Sequence, residues 1–171
     1  MKTKFLFFAI LIQILITLSS LIYSQYVLKS GQSVSLKVEF VDPRDLLRGN
    51  FVRLNYILPE PDCQIDGNKL FNVYAIIKDN KITQISCIKP KDGPYIRGKG
   101  RGWFYNHYKT KEKKYQFFAN FGIDAFFTTP ENAKMIEKNI RENGENVVNL
   151  RILNGKAVIQ SLQSNGKIYG N

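Results

Sequence analysis

From residue 34 to residue 40 apolar and polar side chains alternate. Val34, Leu36, Val38 and Phe40 fall on one face of an extended chain, and Ser35, Lys37 and Glu39 fall on the other. A period of two buries one face and wets the other, so this stretch predicts a half-buried β-strand. "NFVRLNYIL" repeats the pattern, with Val52, Leu54 and Tyr56 opposite Phe51, Arg53 and Asn55. Pro59 and Pro61 end it, because proline cannot donate to a strand ladder. "LFNVYAIIKDNKITQISCIK" predicts a hairpin about Asp79-Asn80, two residue types that tolerate the positive φ of a tight turn. "VVNLRILNGKAVIQSL" predicts a second hairpin about Asn154-Gly155. "KKYQFFANFGIDAFFT" predicts strand broken at Gly122.

Two stretches depart from that rhythm. In "TTPENAKMIEKNIRENG" the apolar residues Ala133, Ile136 and Ile140 follow helical spacing. Thr129 caps, Pro130 suits the first helical position, Glu131 favours the positive helix end, and Gly144 stops the helix. The other is the run from Phe5 to Ser24, which carries no charge. Twenty helical residues span about 30 Å, the thickness of a bilayer's hydrocarbon core. A cleavable signal has a shorter apolar core and small residues before the cut, and Ile22-Tyr23-Ser24 is a poor cleavage site. No cysteine stands directly after the run, so lipoprotein processing is not expected. Gln13, mid-span, can hydrogen-bond a partner helix. Lys2 and Lys4 precede the span and hold that end in the cytoplasm.

The expected protein is therefore mainly β. A single transmembrane helix leads into a compact β sandwich or partly open barrel of seven or eight strands with one inserted α-helix. The divisions are a cytoplasmic tip at 1–4, a span at 5–24, a linker at 25–33 and a periplasmic β domain at 34–171.

Composition adjusts this picture in two respects. The formal charge is +11 and the pI about 9.7, which attracts anionic partners. For a body outside the cytoplasm, acidic headgroups of the same membrane are the simpler partner and nucleic acid is not expected. The lysines are scattered, with only "KTKEKK" (109–114) dense, which reads as a solvated loop. Cys63 and Cys87 are the two cysteines; outside the cytoplasm they can pair, or remain two thiols, since spacing alone does not bring Cα atoms within reach. With one histidine they fall short of the four ligands of structural zinc, so no metal or other cofactor is expected.

The densest polar chemistry lies in "VDPRDLLRGNFVRLNY", residues 41–56. Asp42, Arg44, Asp45 and Arg48 sit between two predicted strands. Pro43 stiffens the stretch and Gly49 permits the bend into the second strand. Two arginines beside two aspartates make either a self-paired connection or a surface that receives a carboxylate, phosphate or backbone group.

This segment resembles the defining signature of the GDYXXLXY protein family. Gly49, Leu54 and Tyr56 match it, preceded by Asp42, Pro43, Arg44 and Asp45; Asn50 and Phe51 replace the signature's aspartate and first tyrosine. "FGIDAFFTTPE", 121–131, resembles the family's aromatic Gly-Ile-acid segment leading into a Pro-Glu helix start. The resemblance implies a bacterial membrane-anchored protein that often accompanies a multi-spanning membrane protein. Asn50 and Phe51 keep shape and lose ionisable chemistry, which favours docking over reaction.

Other candidates for chemistry are weaker. "YIRGKGRGWF" (95–104) lacks the ending of a phosphate loop and reads as a basic flexible loop offering Arg97, Lys99 and Arg101. His107 has no nucleophile elbow to serve. Asp124, Glu131 and Glu137 can pair for acid–base work, or simply serve a strand end and a helix. The single span, external β domain and proline-to-glycine strand start are also similar to membrane signal peptidases. Those place a serine shortly before the proline; here Phe40 stands three residues before Pro43, so that likeness implies an inactive relative. The leading expectation is a non-enzymatic module docking onto an integral membrane protein through 42–50. The alternatives are an envelope hydrolase using Asp45, Asp124 or Glu131, and a binder of anionic lipid or polymer through Arg97, Lys99, Arg101 and 109–114.

Overall fold

A computed structural model of the chain describes residues 2–40, 51–63, 67–106, 113–141 and 145–170. The first element is α1, Lys2–Ser30. It is apolar on every side, and its candidate span, Lys4–Ser30, buries nothing against the rest of the chain over its most apolar stretch. A helix of this length and composition is long and apolar enough to cross a membrane. Only towards its end does it meet the body, where Val27 is fully buried.

Most of the segment expected to be a linker, 25–33, is therefore helix. Nothing before Gly31 breaks the pattern, and Gly31 N–H donates to Val27 C=O at 2.8 Å. A Cβ on Gly31 would lie 2.5 Å from that oxygen and 3.0 Å from Ile152 N, so the close approach requires glycine. Arg151 Nη1 donates to Gly31 C=O at 3.2 Å and ties the helix end to the sheet.

The strands follow as β1 (Gln32–Lys37), β2 (Glu39–Phe40), β3 (Phe51–Asn55), β4 (Gly67–Lys78), β5 (Lys81–Ser86), β6 (Tyr95–Asn106), β7 (Lys113–Asn120) and β8 (Ala125–Phe127). Then come α2 (Pro130–Arg141), β9 (Asn146–Leu153), β10 (Lys156–Ser164) and β11 (Lys167–Gly170). Eleven strands form among the described residues, where seven or eight were expected. The 34–40 run divides into β1 and β2, and Gly122, at φ +70°, separates β7 from β8. Residues 95–104 are strand β6 and not a loop, and Asn165-Gly166 opens a third hairpin into β11.

Three antiparallel sheets result, in the orders β1-β9-β10-β11, β2-β3-β8 and β5-β4-β6-β7. They surround one apolar core as a partly open barrel. Leu36, Val52, Val73, Ile96, Phe126, Ile136, Val148 and Leu162 are all buried within it. The alternation read in β1 and β3 places Val34, Leu36, Val52 and Leu54 inward as expected. Both expected turns carry positive φ, at Asp79 and Asn80 and at Asn154 and Gly155. Thr129 caps α2, its Oγ1 accepting from Asn132 N–H at 3.3 Å. α2 lies against β3 and β10, with Ile136 fully buried.

Cys63 and Cys87 form a disulfide with Cα atoms 6.2 Å apart. It fastens the proline-rich segment after β3 to the end of β5. Asp62 reinforces the join: its backbone N–H donates to Ile85 C=O, and its carboxylate accepts from Cys87 N–H and from Gln84 Nε2.

Candidate functional site

Of the signature, Phe51, Leu54 and Tyr56 are described; Asp42, Pro43, Arg44, Asp45, Arg48, Gly49 and Asn50 lie outside the described residues. β3 pairs with β8, Phe51 opposite Phe127, Val52 opposite Phe126 and Arg53 opposite Ala125. The pairing continues one step, Leu54 N–H donating to Asp124 C=O at 2.9 Å. It brings the end of the signature beside the Gly-Ile-Asp segment, residues some 70 positions later in the chain.

Between the end of β3 and the end of β7 lies a cleft of about 490 Å³. Its walls include Arg53, Tyr56, Phe117, Phe118, Phe121 and Asp124. Leu54 faces inward and is buried, while Tyr56, two positions on, is half-buried at the cleft. The Tyr56 hydroxyl donates to Ile123 C=O at 2.7 Å. Burial, and then the negative charge of Asp124, push that hydroxyl far above the ordinary tyrosine range. Tyr56 is thus a neutral donor holding the Gly-Ile-Asp turn in place. Asn120 closes the same turn, its Oδ1 accepting from Gly122 N–H at 2.7 Å.

The aromatics in this cleft depend on β6. Gly98, Gly100 and Gly102 point inward, alternating with Arg97, Lys99 and Arg101, which face solvent. A Cβ on Gly98 would lie 2.5 Å from Phe121 Cδ1 and 2.6 Å from Asn120 O. One on Gly100 would lie 2.8 Å from Val73 Cγ1 and 3.0 Å from Phe117 Cε2. The glycines leave the volume that the Phe117 and Phe121 rings fill. The motif that resembled a phosphate loop is a glycine-lined strand supporting an aromatic wall. Phe117, Phe118 and Phe121 were not foreseen as site residues; the small side chains recurring every second position in 98–102 are the signal that marks Phe117 and Phe121.

On the outer face of β6, Lys99 Nζ donates to Asn72 Oδ1 at 2.8 Å, and the Arg101 guanidinium lies 5.9 Å from the Phe118 ring centre. The basic surface expected at Arg97, Lys99 and Arg101 is therefore one exposed strand face. Asp124 is exposed at the cleft, whereas Glu131 is in the first turn of α2 and outside the cleft lining. Asp45, His107 and 109–112 lie outside the described residues, and so does the side chain of Glu137. Among the described residues, the potential metal donors that converge are Asp62, Cys63 and Cys87, and there the two sulfurs are bonded to each other. Gln13 is exposed on α1, where Thr17 Oγ1 donates to its backbone carbonyl.

A long apolar helix carried without interruption into a small β body, with a tyrosine-held aromatic cleft, defines the class: a β-domain protein bearing one candidate membrane span. The chain belongs to the GDYXXLXY protein family, whose match covers residues 13–162. No curated protein and no solved structure matches it.

Proposed function

We propose that this chain is a single-pass bacterial inner-membrane protein whose β body, on the periplasmic side, docks onto an integral membrane partner and performs no reaction itself. The observation that carries this reading is the direct passage of α1 into the sheet, with Val27 buried and Gly31 bonded on both sides. A body held that way presents one fixed face to whatever lies beside it in the bilayer. The bare apolar flank of α1, with Gln13 mid-span, supports contact with a second helix. Lys2 and Lys4 support a cytoplasmic tip, and the disulfide supports an oxidising compartment for the body.

Docking through 42–50 is supported by the place to which that segment leads. β3 is clamped between β2 and β8, so the charged residues before it start from a rigid base. A non-catalytic role is supported by Asn50 and Phe51 in place of ionisable signature residues, and by a Tyr56 hydroxyl already committed to Ile123. Co-purification in mild detergent tests the proposal. Wild type retains an integral membrane protein and Arg48→Ala loses it; no partner in either sample overturns the reading. A reporter at the C-terminus tests orientation, alkaline phosphatase being active there and a cytosolic fluorescent protein dark.

A further inference from the structure

A second cleft, of about 420 Å³, lies where α1 meets the body. Ser30 and Gln32 form one side, Lys89, Lys91 and Tyr95 another, and the Asn154-Gly155 turn the third. We propose that this cleft binds the phosphate of an anionic lipid headgroup in the membrane that holds α1. The proposal rests on the reading of α1 as a retained span.

The first argument is depth. The twenty-residue span reckoned from Phe5 ends at Ser24, the next charge is Lys29, and Ser30 is six residues beyond Ser24 along the same helix. At the helical rise this sets the cleft roughly 9 Å above the hydrocarbon, at the outer edge of the headgroup layer. Tyr23 and Tyr26 are exposed below it, where aromatic side chains favour the interface. Ile88, next to Lys89, is 79% exposed and offers an apolar tip to the same layer.

The second argument is charge. Lys89 and Lys91 line the cleft, which has no acidic lining residue. Lys29 and Lys156 flank the lining residues Ser30 and Gly155 in the chain, and Asp92 is the one acid in the 88–95 loop. The helix end would repel an anion, but Arg151 takes up the Gly31 carbonyl there. Long lysine stems reach towards phosphates beneath them while the ammonium stays in the headgroup layer.

The third argument is that the walls are built before any ligand arrives. Ile77 N–H donates to Pro94 C=O at 3.1 Å, and Arg97 N–H to Gly155 C=O at 2.8 Å. Gly155 lies flat on Tyr95, since a Cβ there would be 2.6 Å from Tyr95 Cε2. Pro90 and Pro94 stiffen the loop between.

The test uses the full chain in nanodiscs of phosphatidylcholine alone or mixed with phosphatidylglycerol. Lipids retained on release are counted by native mass spectrometry, and hydrogen exchange is followed over 89–95. Wild type retains phosphatidylglycerol over phosphatidylcholine, and the loop is protected only in mixed discs. Lys89→Gln with Lys91→Gln lowers that retention about thirtyfold, at the usual strength of two juxtamembrane lysines. Lys134→Gln with Lys138→Gln, on α2 and outside the cleft lining, leaves it unchanged. Equal retention by wild type and the 89/91 variant overturns the proposal. So does equal loop protection by inorganic phosphate in phosphatidylcholine discs, which would assign the cleft to a soluble anion. Release of the mature protein by carbonate would instead overturn the reading of α1.

Discussion

Tyr56 keeps its proton because ionising it would place a charge in a half-buried site beside Asp124. A hydroxyl raised above its ordinary value stabilises the fold fully below the unfolded tyrosine value, about 10, and that contribution is lost as pH rises beyond it. Tyr56→Phe removes the bond to Ile123 and is expected to cost about 1 kcal/mol at neutral pH. It should also flatten the loss of stability above pH about 10, because no proton remains to be held there. Denaturant melts at pH 7 and above pH 10 check both outcomes; an unchanged alkaline slope would remove Tyr56 from this role. At the acid end, Lys37 bonds to and attracts Glu145 and holds its carboxyl below the ordinary value. Its contribution is present above that ordinary value and fades as pH falls. Both side chains are exposed, so the effect is small.

Among the elements, β6 departs furthest from its sequence expectation. A half-buried strand is read from large apolar residues at every second position. In β6 the inward positions that follow Ile96 are Gly98, Gly100 and Gly102, and the missing volume comes from β7 and the turn after it. The period is intact, but it is written in absence. β1, β3, β4 and β10 carry their own apolar residues inward, and their pattern was readable directly. Gly98→Ala is expected to destabilise by about 2 kcal/mol, because the new methyl meets the Asn120 carbonyl, which cannot swing aside as a side chain can. Gly100→Ala meets only side-chain atoms and should cost less. A melt of the two variants side by side checks the order, and the reverse order would show that the wall is not built on β6.

For the whole molecule, the long apolar N-terminal helix, the β-rich body, the inserted helix and two hairpin turns were legible, because each depends on neighbours within about a dozen residues. The cleft was not. Leu54, Tyr56 and Asp124 were each singled out, but their meeting depends on β3 pairing with β8 across most of the body, which no local pattern encodes. The helical character of 25–30 was also missed, since "QYVLKS" reads as neither span nor strand until Val27 and Gly31 meet β9. The disulfide acts at this scale too, closing a loop over a sequence separation of 24 residues. Reducing it is expected to cost about 3 kcal/mol, or roughly 10 °C in Tm for a body of this size. A thermal melt with and without reductant checks this, and identical curves would mean the bond contributes nothing.

One residue, Gly31, separates the last turn of α1 from β1. A head joined with so little slack cannot roam on a leash; it can only glide with its stem and spin about it. On the proposed reading of that stem as a retained span, a target would wait at one height above the lipid, and a change in bilayer thickness or stem tilt would swing the whole head like the hand of a dial.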